Sequence, residues 1–291
     1  MSALTLTRRQ RVGRNIVVRG LLQSRPGLLG ALLVTIVVLI ALLGPFVSPH
    51  LSGDIVGSSY LSPGPDHQLG TDGLGRDVLS RYLQGGRTLL LVAFAATLLA
   101  YLIGIAAGLA SGFATGRVDL VAVWAVDVLL AFPPIVLVLT LVAVAGSSMT
   151  VAVLGIAAVH APRIYRIARS VTLGIATQEY VEAAVARGER FGSILRREVL
   201  PNIWTPVLAD FGIRLAGSVI LYASLSYLGF GTPPPAPDWA SMISDDRLGL
   251  TVQPWVVVVP AITIAVLAIG VSLLADSIAR ASGRSIVSRD G

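Results

Sequence analysis

The sequence predicts an all-α polytopic membrane protein with six transmembrane helices. Mean hydropathy is +0.79 over 291 residues, 54% of the residues are hydrophobic and only 13% are charged. Runs of about 20 apolar residues, long enough to cross a hydrocarbon core of about 30 Å, recur along the chain. Each run is continuously apolar and does not alternate, which selects helices over barrel strands.

A polar N-terminal tail covers residues 1–26 and carries Arg8, Arg9, Arg11, Arg14, Arg19 and Arg25. The first span is expected at Gly27–Val47; so long a polar lead and so long an apolar run argue against a cleaved signal. Residues 48–87 form a loop. Within it Asp77–Gln84 sets Val78, Leu79, Tyr82 and Leu83 on one face, predicting a short helix ended by Gly85 and Gly86 at the membrane surface. Residues 88–276 read as a core of five further spans at Thr88–Ser111, Leu120–Ala145, Ser147–Ile164, Trp204–Gly229 and Trp255–Ala275. Pro133 and Pro134 inside the third span, and Pro260 inside the sixth, remove backbone donors and favour kinks. A tail follows at 277–291.

Arginine bias gives the orientation. The N-terminal tail, Arg117, the group Arg163, Arg166, Arg169, Arg187, Arg190, Arg196 and Arg197, and the C-terminal Arg280, Arg284 and Arg289 fall on one side. The positive-inside rule assigns that side, with both termini, to the cytoplasm, and the loops at 48–87 and 230–254 to the outside. The net charge of +6 is explained by this topology; no basic stripe with interleaved aromatics suggests nucleic acid. All 22 basic residues are arginine and there is no cysteine. The chain therefore holds no phosphate-loop lysine, no disulfide and no cysteine-ligated metal.

The least apolar stretch, 177–202, holds EYVEAAVARGERFGSILRREVLPN. Thr177 is placed to cap a helix with Glu179 and Glu182 in its first turns, matching the positive end of the helix dipole, and Gly188 is placed to stop it. A second short helix is expected over Ser193–Leu200, with Phe191, Ile194, Leu195 and Val199 as an apolar stripe and Pro201 preventing continuation. Charges inside spans are the other signal. Asp210 and Arg214 have the acid-first i, i+4 spacing of an ion pair. Asp127 and Arg214 fall about 12 and 16 Å inside their cytoplasmic ends, at depths that let them meet on the translocation path or as an intramembrane pair. Asp66, His67, Asp72 and Asp77 lack fixed ligand spacing, so no metal site is expected. His50 and His160 stand alone, and no nucleophile–base–acid grouping is present.

Glu182-Ala183-Ala184, then Gly188 and Leu200-Pro201, resemble the EAA loop of ABC importer permeases. The resemblance implies a type I ABC importer permease fold with a cytoplasmic coupling loop that docks on an ATPase subunit. Small side chains at Ala183 and Ala184 would permit close approach, Gly188 would set the bend, and Ile194, Leu195, Leu200 and Pro201 would supply apolar contact. HQLGTDGLGRDVLSRYLQGGRTLL at 67–90 and LSYLGFGTPPPAPDWASM at 225–242 resemble the C-type subunit of oligopeptide/dipeptide ABC importers. Tyr222 and Ala275-Asp276 depart from that family's usual glutamate and Gly-Asp.

The resemblance implies a transport subunit in the cytoplasmic membrane of a prokaryote, with no catalysis and no cofactor of its own. Its implied partners are a homologous B-type permease, ABC ATPase subunits that bind Mg-ATP, an extracytoplasmic solute-binding protein, a peptide substrate and the lipid bilayer. The same architecture importing glutathione, nickel or another small solute is an alternative. An ion-coupled secondary transporter is a further one, predicting discontinuous helices with charged midplane sites.

Overall fold

The computed structural model describes residues 24–287, apart from 115 and 190, and those residues are almost wholly helical. The N-terminal tail arginines before Arg25 lie outside the described residues. Helix α1 (Arg25–Val47) opens on Ser24, whose hydroxyl accepts from the Gly27 amide at 3.1 Å, with Pro26 in the first turn where its missing donor costs nothing. After a loop come α2 (Val78–Gln84), α3 (Gly86–Ala114), α4 (Gly116–Ala131), α5 (Pro134–Ala145) and α6 (Met149–Ala176). Then follow α7 (Glu179–Ala186), α8 (Phe191–Ile194), α9 (Leu200–Leu225), α10 (Trp239–Asp245) and α11 (Trp255–Val287).

Five of these helices are long and apolar enough to cross a membrane. The third expected span is broken: α4 and α5 meet at 94° across Phe132 and Pro133, sharper than the expected kink. Two consecutive prolines remove two donors and push the preceding residue out of helical geometry, so the ladder cannot bridge the break. The fourth span differs too. It runs to Ala176, well beyond Ile164, because Arg166 and Arg169, read from sequence as cytoplasmic flank, find carboxylate partners on α4.

Helices α3 and α6 form the central seam. Gly104, Gly108 and Gly112 repeat at four-residue intervals along one face of α3. A Cβ at these positions would lie 2.8 Å from the Ala161 carbonyl oxygen, 2.7 Å from the Tyr165 carbonyl oxygen and 2.8 Å from Thr172 Cβ. The backbones therefore approach as only glycine permits, gaining dispersion contact where lipid supplies no hydrophobic drive. Ala100, Ala157, Ala161 and Ile164 continue the seam into the buried cluster that also receives Val199, just ahead of α9, and Ile203 and Val207 from its start.

At the end of the bundle away from 177–202, the two stretches at 67–90 and 225–242 interlock. Helix α2 forms where expected, capped by Asp77, whose carboxylate accepts from the Ser80 amide at 2.8 Å. Trp239 of α10 stacks on Tyr82 with ring centroids 5.6 Å apart and donates its indole N–H to the Tyr82 carbonyl at 2.7 Å. Gly86 does not end a helix; it starts α3 and leaves room for that indole, since a Cβ there would lie 2.5 Å from the ring. Gln253 donates to the carbonyls of Leu61 and Leu69, and Asp246 accepts from the Gly73 amide.

Buried carboxylates in this interlocked frame behave oppositely. Asp72 accepts from Arg76 Nε at 2.7 Å, from Arg81, and from the Leu74 and Arg76 amides. Burial alone would raise its pKa, but the Arg76 amide and the two guanidiniums outweigh it and hold the carboxyl below its usual range. Asp238 caps α10, one oxygen accepting from Ser226 at 2.6 Å and from Ala240 and Ser241, while Oδ2 is buried with no partner among the described residues. Burial pushes this carboxyl above its usual range.

The signs predict opposite outcomes. Stabilisation by Asp72 is complete above its unfolded pKa of about 4 and is lost as pH falls through its lowered folded value. For Asp238 the raised folded value makes the contribution present below about pH 4 and lost as pH rises through that value. In thermal unfolding of purified protein at pH 7.5, Asp72→Asn is expected to lower stability by about 3–5 kcal/mol, because Arg76 and Arg81 lose their counter-ion. Asp238→Asn, which keeps the accepting oxygen and removes the buried charge, is expected to raise the Tm at that pH and to flatten the gain that wild type shows on acidification. A lower Tm for Asp238→Asn would contradict the assignment.

Candidate functional site

The stretch 177–202 folds as a short helix, a glycine turn and a re-entry into α9. Gln178, and not Thr177, precedes the first helical residue of α7; Thr177 closes α6, its hydroxyl donating to the Gly174 carbonyl at 3.3 Å. Glu179 and Glu182 stand in the first turns of α7, at the positive end of its dipole. Gly188 adopts φ +71°, the left-handed conformation that lets its amide and that of Glu189 close on the Val185 and Ala184 carbonyls.

The faces of α7 correct one expectation. Val181 and Ala184 point inward, with Ile194, onto Phe113 of α3 and Ile175 of α6. Ala184 is thus anchored within its own chain, while Glu182, Ala183, Tyr180 and Val185 are exposed. The i, i+3 spacing of 181 and 184 decides this, because it places both on the side facing α6. Ile194 is buried in the same small cluster, and Leu195 and Leu200 are half-buried, Leu195 against the main seam. Nor does a separate helix end at Pro201. Leu195–Val199 forms a wide π-helical turn that leads into α9, with Pro201 in the first turn of that helix. The first turn has no intrahelical partner for its amides, so proline is tolerated there. The Pro201 side chain lies outside the described residues.

Charges among the spans pair differently from the expected meeting of Asp127 with Arg214. Arg214 grips Asp210 of its own helix through Nε and Nη2, both at 2.9 Å, and Tyr101 of α3 donates to the same carboxylate at 2.9 Å. Their side chains are only 19% and 12% exposed. Asp127 instead accepts from Arg166 Nη2 of α6 at 2.6 Å. A third pair, Asp119 with Arg169, joins α4 to α6 and includes the Ser111 hydroxyl of α3. Tyr101, Arg166, Arg169 and Asp119 were not singled out from sequence. The aromatic carries no intramembrane charge, and Arg166 and Arg169 read as flank once the fourth span was ended at Ile164.

Asp72 and Asp77 are engaged by arginines and by the α2 cap, and among the described residues no group of three or more histidine, cysteine or acidic side chains is arranged to hold a metal ion. His160 is buried on α6 with its ring against Gly217 of α9. The site combines an exposed short helix backed by Phe113 and Ile175 with three arginine–carboxylate pairs among the described spans.

Residues 100–287 match the family described as binding-protein-dependent transport system inner membrane component. The chain belongs to this family. Among its relatives, a dipeptide transport system permease protein DppC from Alkalihalophilus pseudofirmus is 30% identical over 257 residues, 88% of this chain and 84% of the relative. A glutathione transport system permease protein GsiD from Pectobacterium atrosepticum is 32% identical, covering 89% of this chain and 87% of the relative. A putative peptide transport system permease protein from Brucella suis is 32% identical over 92% of this chain and 91% of the relative. An inward-facing structure of the MetNI methionine ABC transporter superposes with TM-score 0.53 at 21% identity, covering 70% of this chain and 96% of the solved chain. That likeness establishes the permease fold, and α1 lies ahead of the family match.

Pairing predicts coupling. Neutralising Asp210 alone leaves Arg214 and the Tyr101 hydroxyl without an acceptor in low dielectric, a loss of about 3–5 kcal/mol. Asp210→Asn and Arg214→Gln are each expected to reduce folded protein in membranes, and the double variant to recover part of it. Asp127→Asn combined with Arg214→Gln is expected to be additive. Strong coupling between 127 and 214, or none between 210 and 214, measured as folded yield, would overturn the assignment.

Proposed function

We propose that this chain is the permease subunit of an ABC importer that passes dipeptides or oligopeptides across the cytoplasmic membrane. Transport is coupled to Mg-ATP hydrolysis on partner ATPase subunits. The reading is supported by the family membership, by relatives named for dipeptide, peptide and glutathione transport, and by the absence of lysine, which leaves the chain no phosphate-loop residue of its own. A homologous B-type permease completes the path, and an extracytoplasmic solute-binding protein delivers the solute. Both termini and α7 are on the cytoplasmic side, as the arginine bias supports.

The observation that carries the coupling role is the two-sidedness of α7. Its inner face is fixed by Val181 and Ala184 to both seam helices, and its outer face presents Glu182 and Ala183. Displacement of α7 by a closing ATPase is then passed to α3 and α6 as a rigid-body push, while the Gly188 turn and the π-helical turn let α9 follow. The relatives named for glutathione transport favour a second solute within the same reading, and glutathione is itself a peptide-like zwitterion.

Glu182→Arg reverses the charge on the exposed face without touching the inner contacts. Expected are normal insertion, weakened co-purification of the ATPase, and uptake of labelled dialanine and glutathione reduced about tenfold or more, since charge reversal at a docking surface costs both recruitment and specificity. Wild-type co-purification together with wild-type uptake would remove the coupling role from α7.

A further inference from the structure

Three arginine–carboxylate pairs lie among the spans, and they are not alike. Arg169 holds Asp119 by two contacts, as Arg214 holds Asp210, and each of these carboxylates receives a third hydrogen bond, from Ser111 or Tyr101. Such pairs are complete. Arg166 reaches Asp127 by a single contact, Nη2 to Oδ1 at 2.6 Å, and the two side chains are 58% and 51% exposed. Among the described residues nothing engages Asp127 Oδ2 or Arg166 Nε and Nη1.

Arg166 lies 17 residues into α6, about 26 Å from its outer end and within the roughly 30 Å of a hydrocarbon core. Acyl chains solvate neither charge, so an open ion pair at that depth faces water or protein. The neighbouring surface agrees. Ser170 and Gly174, four and eight residues beyond Arg166 on the same side of α6, are exposed, while the exposed positions of the outer half, Met149, Thr150 and Leu154, lie on other sides of the helix. The polar exposed strip therefore runs from Arg166 toward the coupling end.

We propose that Asp127, Arg166, Ser170 and Gly174 form a water-lined wall of the translocation path, whose open ion pair engages the opposite charges of a zwitterionic solute. This rests on the permease reading above. The free Nε and Nη1 edge of Arg166 matches a carboxylate, and Asp127 Oδ2 accepts from an ammonium group. A short peptide carries those two groups at its ends with neutral backbone between. Because Asp127 and Arg166 already share one hydrogen bond, an arriving solute exchanges contacts and desolvates no lone charge. Binding is therefore weak enough for release, as passage requires.

The chain has no cysteine, so single cysteines report without background. In the assembled transporter, Arg166→Cys, which lies within the hydrocarbon depth, is expected to react with a membrane-impermeant methanethiosulfonate reagent at least about tenfold faster than Leu154→Cys, because thiolate formation requires water. Equal rates would place the face against lipid or a partner subunit and overturn the wall. Uptake of labelled dialanine and of N-acetyl-dialanine amide tests the solute contact. Arg166→Gln is expected to lose about tenfold of dialanine uptake with little change for the blocked peptide, since only the free carboxylate uses the charge. Arg166→Lys is expected to recover part of it. Unchanged dialanine uptake by Arg166→Gln, or an equal fall for both peptides, would overturn the zwitterion contact. If the wild-type transporter takes up neither dialanine nor glutathione, the peptide reading fails and the zwitterion contact with it, while the labelling rates still decide the wall.

Discussion

The close approach of α3 and α6 is the constraint on which the other features depend. Gly104, Gly108 and Gly112 let two backbones meet without side chains between them, and no larger residue fits the distances found there. Everything at the inner end of the bundle is referred to that seam. Phe113 at the end of α3 and Ile175 at the end of α6 provide the surface on which Val181, Ala184 and Ile194 rest, so the position of α7 is set by two helices that cannot slide independently. The charged pairs follow the same geometry, because Tyr101 and Ser111 of α3 reach carboxylates held by arginines of other helices.

Polar groups are handled in three ways according to their surroundings. In the frame formed by the stretches at 67–90 and 225–242, guanidiniums and amides around Asp72 hold its pKa below the usual range, while burial of Asp238 pushes its pKa above it. Inside the bundle, Asp210 and Asp119 are closed off by bidentate arginines. Asp127 alone of these is left half open, and that difference, not the mere presence of a charge, marks it for a role beyond packing. A buried pair that is complete contributes to specific assembly and has little left to offer a solute.

Much of this was legible in the sequence, and the failures share a cause. Apolar runs located the long helices, Gly188 was read as a turn residue, and Asp210–Arg214 was read from spacing alone, since all three are local signals. Asp127 was matched to the wrong arginine because depth along a helix does not say which face it presents, and because Arg166 had been placed outside the span. The two outer stretches were recognised separately, yet nothing in either one reveals that Trp239 fills the space left by Gly86. Ala183 and Ala184 are identical in sequence and opposite in position; only the packing of α7 on α6 separates the exposed alanine from the buried one.

That separation gives the most direct measurement of the proposed coupling role. In the assembled transporter, with the cysteine-free chain as background, Ala183→Cys and Ala184→Cys are each compared for cross-linking to the ATPase subunit with a short bifunctional thiol reagent. The account predicts a cross-link from 183 whose yield changes when ATP is added, and none from 184. Cross-linking from 184 as efficient as from 183, or from neither, would contradict the presentation of α7 by the glycine seam.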